Sequence, residues 1–517
     1  MLPAPLLLAL FQIVSAANKQ SDEVAGLPGL TFRVVFKHYA GYLDASLGNH
    51  LFYWLYEAQS DASRAPLVLW LDGGPGCAST GGALRQNGPF HPTRDGLHLE
   101  ENVFGWNKIA NVLYIDSPRG VGYSYRDGTQ PTDTVYNDQK TTNDLVLALK
   151  SFTSAYPEYE SRAFFVIGES YGGVYGPLLV KALVEEFQSG EDKFVNLQGF
   201  VVANGLLNLN DTINSSFDLL YFRGIIGKTE YDDLYSCCQY IGDAEELVYC
   251  NFAYYMEVDE FGHYSARHFD DPKMQDCANT IAQHENNVFL PNDVTNTYQD
   301  CYDGVTATGR LGRFPHAPLN YEEPFVDEGA QQNASSTDAL GGFPCYADSA
   351  TATYYNNPEV RNSLHVADGL PLWAPCQSIN YSQTFDMSAT FHSIVDSGYP
   401  LRSLIYNGDV DLLDSFLADE WFTEALAKEK GLLTISQRAQ WNYTRQSGLR
   451  PVGGGYVKKF ETSDGLFRMD VATVKGAGHT SPQDRPGPVL QLIANFLSDQ
   501  DYSTILDISL VPAPFTS

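Results

Sequence analysis

The sequence predicts an α/β fold built on a large central sheet, mixed but mostly parallel, and three observations carry that expectation. Apolar runs of strand length recur up to about residue 205 and return after residue 400. A stretch of helical periodicity, 143–150, lies between two of them, as the crossover of a parallel sheet should. The apolar run Ala163-Phe164-Phe165-Val166-Ile167 leads without a break into Gly168-Glu169-Ser170-Tyr171-Gly172-Gly173. There a buried strand delivers a serine onto a sharp turn, with glycines two residues to either side where side chains would collide.

In chain order, strands are expected at 32–36, 51–56, 67–71, 112–115, 164–167 and 197–203. From about 206 to 344 the composition changes: Cys237, Cys238, Cys250, Cys277 and Cys301 fall here, and no long strand does. That segment reads as an inserted cap over the end of the sheet that carries the serine turn, helical early and loop-rich later. The core therefore divides into 28–205 and 345–505, the second part holding strands before Asp411 and before His479. Residues 1–17 read as a secretory signal peptide, with the apolar core Leu6-Leu7-Leu8-Ala9-Leu10-Phe11 and the small-residue site Ser15-Ala16-Ala17. A membrane span needs about 20 apolar residues, which this core lacks, so no membrane anchor is expected.

The G-x-S-x-G turn behind a strand is the nucleophile elbow of the α/β-hydrolase fold. A serine becomes a nucleophile only beside a base, which in turn needs an orienting acid; in this fold they follow in the order Ser, Asp or Glu, His. Two downstream segments fit. Leu404-Ile405-Tyr406-Asn407-Gly408-Asp409-Val410-Asp411 runs from an apolar strand into an acidic loop, and Val471-Ala472-Thr473-Val474-Lys475-Gly476-Ala477-Gly478-His479 ends a strand on an imidazole. Any one of the 11 histidines is most often a surface or core residue. His479 stands apart because it ends a strand, follows Gly-Ala-Gly and lies in the required order.

These motifs, with Trp70-Leu71-Asp72-Gly73-Gly74-Pro75-Gly76-Cys77 and Ile115-Asp116-Ser117-Pro118, resemble the serine carboxypeptidase family from about residue 29 to 496. The resemblance implies Ser170 as nucleophile, His479 as general acid/base and, as orienting acid, Asp411, the second acid of the Gly-Asp-x-Asp run, over its rival Asp409, which would then hold the loop. It also implies an oxyanion hole of backbone N–H groups from Gly74 and Tyr171. For the substrate's terminal carboxylate it implies a hydrogen-bonded cluster at Asp72, Gly73, Gln86 and Glu169, and here the chain departs from the family. The family has Asn where Asp72 stands and Glu where Gln86 stands, so an amide and an acid have exchanged places. Two carboxyls beside a substrate carboxylate repel it unless one keeps its proton; with ordinary carboxyl pKa values near ~4, raised by like-charge neighbours, peptidase activity should favour acidic pH. Asp414, where relatives carry an unpaired cysteine, and Thr480-Ser481 make the rim more polar and suggest a less apolar C-terminal residue.

Eight cysteines fit an oxidising compartment, although spacing alone leaves about a hundred pairings open. The resemblance implies Cys77–Cys376, Cys237–Cys277, Cys238–Cys250 and Cys301–Cys345. Sequons at Asn210, Asn214, Asn333, Asn380 and Asn442 mark expected glycosylation sites. No His/Cys cluster has metal-site spacing, and neither metal nor cofactor is expected. A net charge of −31 argues against nucleic acid as a partner and suits an acidic lumen, though plain solubility explains it equally. The expected partners are peptide or protein C-termini in the secretory pathway, in the lysosome or outside the cell. The family also allows a homodimer, acyl transfer to an alcohol, a maturation cleavage within 299–342, and a non-catalytic role shielding lysosomal glycosidases.

Overall fold

The computed structural model describes residues 17–46, 48–128, 135–190, 193–238, 240–241, 249–289, 294–298, 345–444 and 450–511. The signal-peptide core, the 299–342 region, Cys301 and Asn333 lie outside the described residues. The main sheet is formed by β1 (His38–Asp44), β2 (Asn49–Tyr56), β3 (Leu67–Leu71), β4 (Asn111–Ile115), β5 (Ala163–Ser170), β6 (Asn196–Gly205), β7 (Leu401–Gly408), β8 (Leu433–Tyr443), β9 (Val452–Glu461) and β10 (Phe467–Val474). Its order is β1-β2-β4-β3-β5-β6-β7-β10-β9-β8, with Tyr125–Arg126 added to β2. The central run from β4 to β10 is parallel, and antiparallel strands flank it on both sides. This is the α/β-hydrolase architecture.

Both faces of the parallel strands are covered, which is why they read as unbroken apolar runs rather than alternating ones. Leu67, Leu69 and Leu71 point into one buried cluster with Leu145, Leu149 and Phe152 of the crossover helix α1 (Asp138–Ala155). Val68 and Trp70 point into the other, with Trp106, Val489 and Ile493.

One expected strand is absent. Residues 32–36 form no strand and pack as a loop, Phe32 and Phe36 against Phe90 at 5.8 and 5.9 Å between ring centroids. Val35 stays 70% exposed, so the apolar run that suggested a strand has no second surface to bury. The first strand is instead His38–Asp44, paired antiparallel with β2.

Between β6 and β7 the chain leaves the sheet. Helices Leu209–Phe222, Lys228–Ser236 and Pro272–Phe289 and two short hairpins enclose a separate small core around Phe217, Leu234 and Phe252. Leu412, from the loop after β7, inserts into that core and couples it to the sheet. No helix among the described residues is long and apolar enough to cross a membrane.

Candidate active site

Strand β5 ends at Ser170 with φ 59°, a left-handed conformation that a non-glycine residue adopts only under local constraint. The constraint is the tight reversal into α2 (Gly172–Gln188), in which a methyl group on Gly168 would overlap the carbonyl of Gly172. The turn after β3 presses equally close, since a side chain on Gly73 would strike the Tyr171 nitrogen. That proximity packs this turn against the elbow, and Gly74 and Tyr171 line one cavity with Ser170. Among the described residues neither donates to a backbone acceptor outside the regular elements. The Cys77–Cys376 disulfide and the bonds Ala78 N to Pro375 O (2.9 Å) and Gln377 N to Gly76 O (2.9 Å) fasten this turn to the 373–386 segment.

The acid and base meet two strands away. His479 Nδ1 lies 2.9 Å from Asp411 Oδ2, and both side chains are buried. Four donors converge on Asp411: this imidazole, Asn204 Nδ2 (3.0 Å), Leu413 N (2.9 Å) and Asp414 N (3.4 Å). Asp409 instead accepts from Gly476 N at 2.7 Å and joins the two loops without touching the imidazole. Burial alone would lower the His479 pKa, but Asp411, then Asp414 and Glu169, favour the imidazolium and push it up. No hydrogen bond joins Ser170 to His479 among the described residues. Such contacts are commonly loose without substrate and close in the Michaelis complex. The imidazole is nonetheless near enough to Glu169, the neighbour of Ser170, for their charges to act on each other.

Two supporting features were not read from the sequence. Asn204 sits at a register shift between β5 and β6 with φ 47°, so the bulge swings its amide from the strand towards Asp411. Its carbonyl oxygen accepts from Ser481 Oγ at 2.6 Å. Ser481 is therefore fully buried and braces the triad loop rather than making the rim polar. The second feature is the short segment 294–298: Val294 O accepts from Leu412 N (3.0 Å), Thr295 O from His479 N (2.6 Å), and Thr297 N donates to Val410 O (3.1 Å). One strap thus ties the acid loop to the base loop. An Asn at a strand end is the only sequence trace of the first feature; the second leaves none.

Asp72, Gln86 and Glu169 come together at the tip of β3 and are buried. Gln86 Nε2 donates to Glu169 Oε2 at 2.8 Å, leaving Gln86 Oε1 and Glu169 Oε1 buried without partners. Asp72 accepts from the Trp70 indole, and Arg85 Nη2 stands 3.7 Å from its other oxygen. Arg85, which also pairs with Asp348 at 2.8 Å, is a cation that the sequence reading missed in this cluster. Burial pushes the Asp72 carboxyl well up, with Glu169 adding to it, and burial raises Glu169 as well.

A cavity of about 800 Å³ opens over the site, lined by Gly74, Ser170, Tyr171 and Asp414 and, from the inserted segment, by Phe261 and His263. Cys237–Cys277 and Cys238–Cys250 are bonded within that segment; Cys345 is disulfide-bonded. Of the sequons, Asn210 and Asn380 are exposed and Asn442 is half-buried. Asn214 must be withdrawn as a glycan site: it is 2% exposed and its Oδ1 accepts from Ala253 N at 2.8 Å, which leaves no room for a sugar.

The comparisons with known proteins agree with this geometry. The family profile described as serine carboxypeptidase matches residues 28–499. The chain is 32% identical to the lysosomal protective protein of Mus musculus, over 96% of this chain and 99% of that one. It is equally 32% identical to a serine carboxypeptidase of Caenorhabditis elegans, over 97% of this chain and 100% of that one. Among solved structures it is similar to Kex1(delta)p, a prohormone-processing carboxypeptidase from Saccharomyces cerevisiae, with TM-score 0.66 and 21% identity over 93% of this chain and 96% of that one, a likeness of fold. A strained serine on its elbow, an imidazole held by a buried aspartate and a match over nearly the whole length leave one conclusion: the chain belongs to the serine carboxypeptidase family, enzymes of the hydrolase class.

Proposed function

We propose that this carboxypeptidase releases C-terminal residues from peptides at acidic pH through an acyl-enzyme. Ser170 Oγ attacks the last peptide carbonyl while His479 takes its proton; the oxyanion is received by the N–H groups of Gly74 and Tyr171. His479 then protonates the leaving amine, and water activated by the same imidazole hydrolyses the ester. The observation that carries this reading is the 2.9 Å bond from His479 to the four-donor Asp411, at the same sheet edge as the Ser170 elbow.

Acid dependence follows from the carboxylate cluster. Burial raises Glu169 and Asp72, so each keeps its proton to higher pH than a free carboxyl, and a protonated Glu169 can donate to the substrate's carboxylate. As pH rises through these values the proton is lost, repulsion replaces the hydrogen bond, and turnover falls. On the acid side the limit is His479, which must be neutral to accept the Ser170 proton. Neutralisation of Asp414 and Glu169 as pH falls removes two of the charges that favour the imidazolium.

The disulfides and exposed sequons support a place in the secretory pathway, ending in an acidic lysosomal lumen or outside the cell. The test is incubation with peptides near pH 5, followed by mass spectrometry. Stepwise loss of C-terminal residues that vanishes in Ser170→Ala is expected; internal cleavage, or release unchanged by that substitution, would overturn the reading.

A further inference from the structure

The order β3-β5-β6-β7 in the sheet fixes the direction in which a substrate must lie. The terminal-carboxylate cluster hangs from the tip of β3, Ser170 from the tip of β5, and the 409–414 loop from the tip of β7. A peptide anchored by its carboxylate at β3 and cut at Ser170 therefore runs its acyl side towards β7. At that end of the cavity stands Asp414. It is 7% exposed, its carboxylate accepts no hydrogen bond among the described residues, and it lines the same cavity as the nucleophile. Leu206, Leu209 and Leu413 line the same cavity and offer apolar surface beside this carboxylate.

A carboxyl buried without a donor is unfavourable unless something supplies the partner. We propose that Asp414 selects a cationic side chain, lysine or arginine, at the penultimate position of the peptide, whose aliphatic stem lies along the leucines and whose charged head meets the carboxylate. This moves the influence of Asp414 from the C-terminal residue, where the sequence pattern had put it, to the residue before it. The inference rests on the carboxypeptidase reading above. The charged or titratable groups around Asp414 are His479 and Asp411 on the triad loops, Asp419 on helix Phe416–Lys430, and His263 across the cavity. Burial pushes the Asp414 pKa up to about 7, His479 opposing and Asp411 adding, so selection strengthens as pH rises from 5 towards 7.

The experiment compares kcat/KM for two N-acylated peptides with the same C-terminal residue and either lysine or norleucine before it, at pH 5 and pH 7. In the wild type the lysine-to-norleucine ratio exceeds one and rises about tenfold across this range, the scale of one partly desolvated ion pair. In Asp414→Asn and Asp414→Ser the ratio falls to one or below and becomes flat, with active sites counted by a fluorophosphonate on Ser170 so that misfolded protein is not scored. A wild-type ratio at or below one at pH 7, or a preference that survives both substitutions, overturns the proposal while leaving the carboxypeptidase reading intact. Release from neither peptide removes that reading, and the proposal with it.

Discussion

Asp411 and Glu169 stand at one edge of one sheet, yet the fold surrounds them in opposite ways. Asp411 receives four donors, two from its own loop's backbone, one from a bulged strand and one from the imidazole it orients. Glu169 receives one, from Gln86, and its second oxygen is left buried and bare. A carboxylate surrounded by donors is fixed in place and can orient an imidazole; one buried with a single donor is suited to hold a proton and give it to a ligand. The triad end is thus organised to stabilise a charge that develops on His479, and the β3 end to accept a charge that the substrate brings.

Three substitutions sharpen that contrast, the largest effect first. Asp411→Asn keeps the shape but presents an amide to the imidazole, which then holds its proton on the wrong nitrogen; kcat is expected to drop by about 10^4-fold with a normal circular dichroism spectrum. A loss under about tenfold would mean that Asp411 does not orient the base. Asn204→Ala removes one charged hydrogen bond, a loss of about 10- to 100-fold in kcat/KM. Because Asp411 then turns more of its charge on His479, the acid limb of the pH profile should also move upward, which a purely structural defect would not produce.

Glu169→Gln gives the smallest effect at pH 5, about threefold, and the most telling at higher pH. In the wild type the kcat/KM ratio for a peptide acid over its amide should fall as Glu169 deprotonates, by roughly tenfold per pH unit beyond its raised pKa. In the variant that ratio should level off, since the glutamine amide can donate at any pH. Parallel profiles for acid and amide in both proteins would show that the cluster does not read the terminal carboxylate.

Local sequence was enough to locate the chemistry. The elbow at Ser170 is written in two glycines and a preceding apolar strand, because so tight a reversal tolerates little else. The acid and base loops follow strands whose apolar runs announce them, and parallel strands deliver their C-terminal ends to a common edge. The 32–36 segment misled because an apolar run shows only which residues could be buried, not whether a neighbouring strand is there to pair with them. Asn214 misled because a sequon is a three-residue pattern, blind to the helix face that packs it against Ala253.

What the tertiary structure alone decided is everything that depends on residues distant in the chain and close in space. The strap at 294–298 across both catalytic loops and the insertion of Arg85 beside Asp72 have no local signature, and the bulge that turns Asn204 to Asp411 leaves only an Asn at a strand end. The chain itself determined which groups can react, since bond chemistry belongs to residue types and short turns. How many donors each carboxyl receives, and so which of them keeps its proton, was settled only when strands far apart in sequence came to lie side by side.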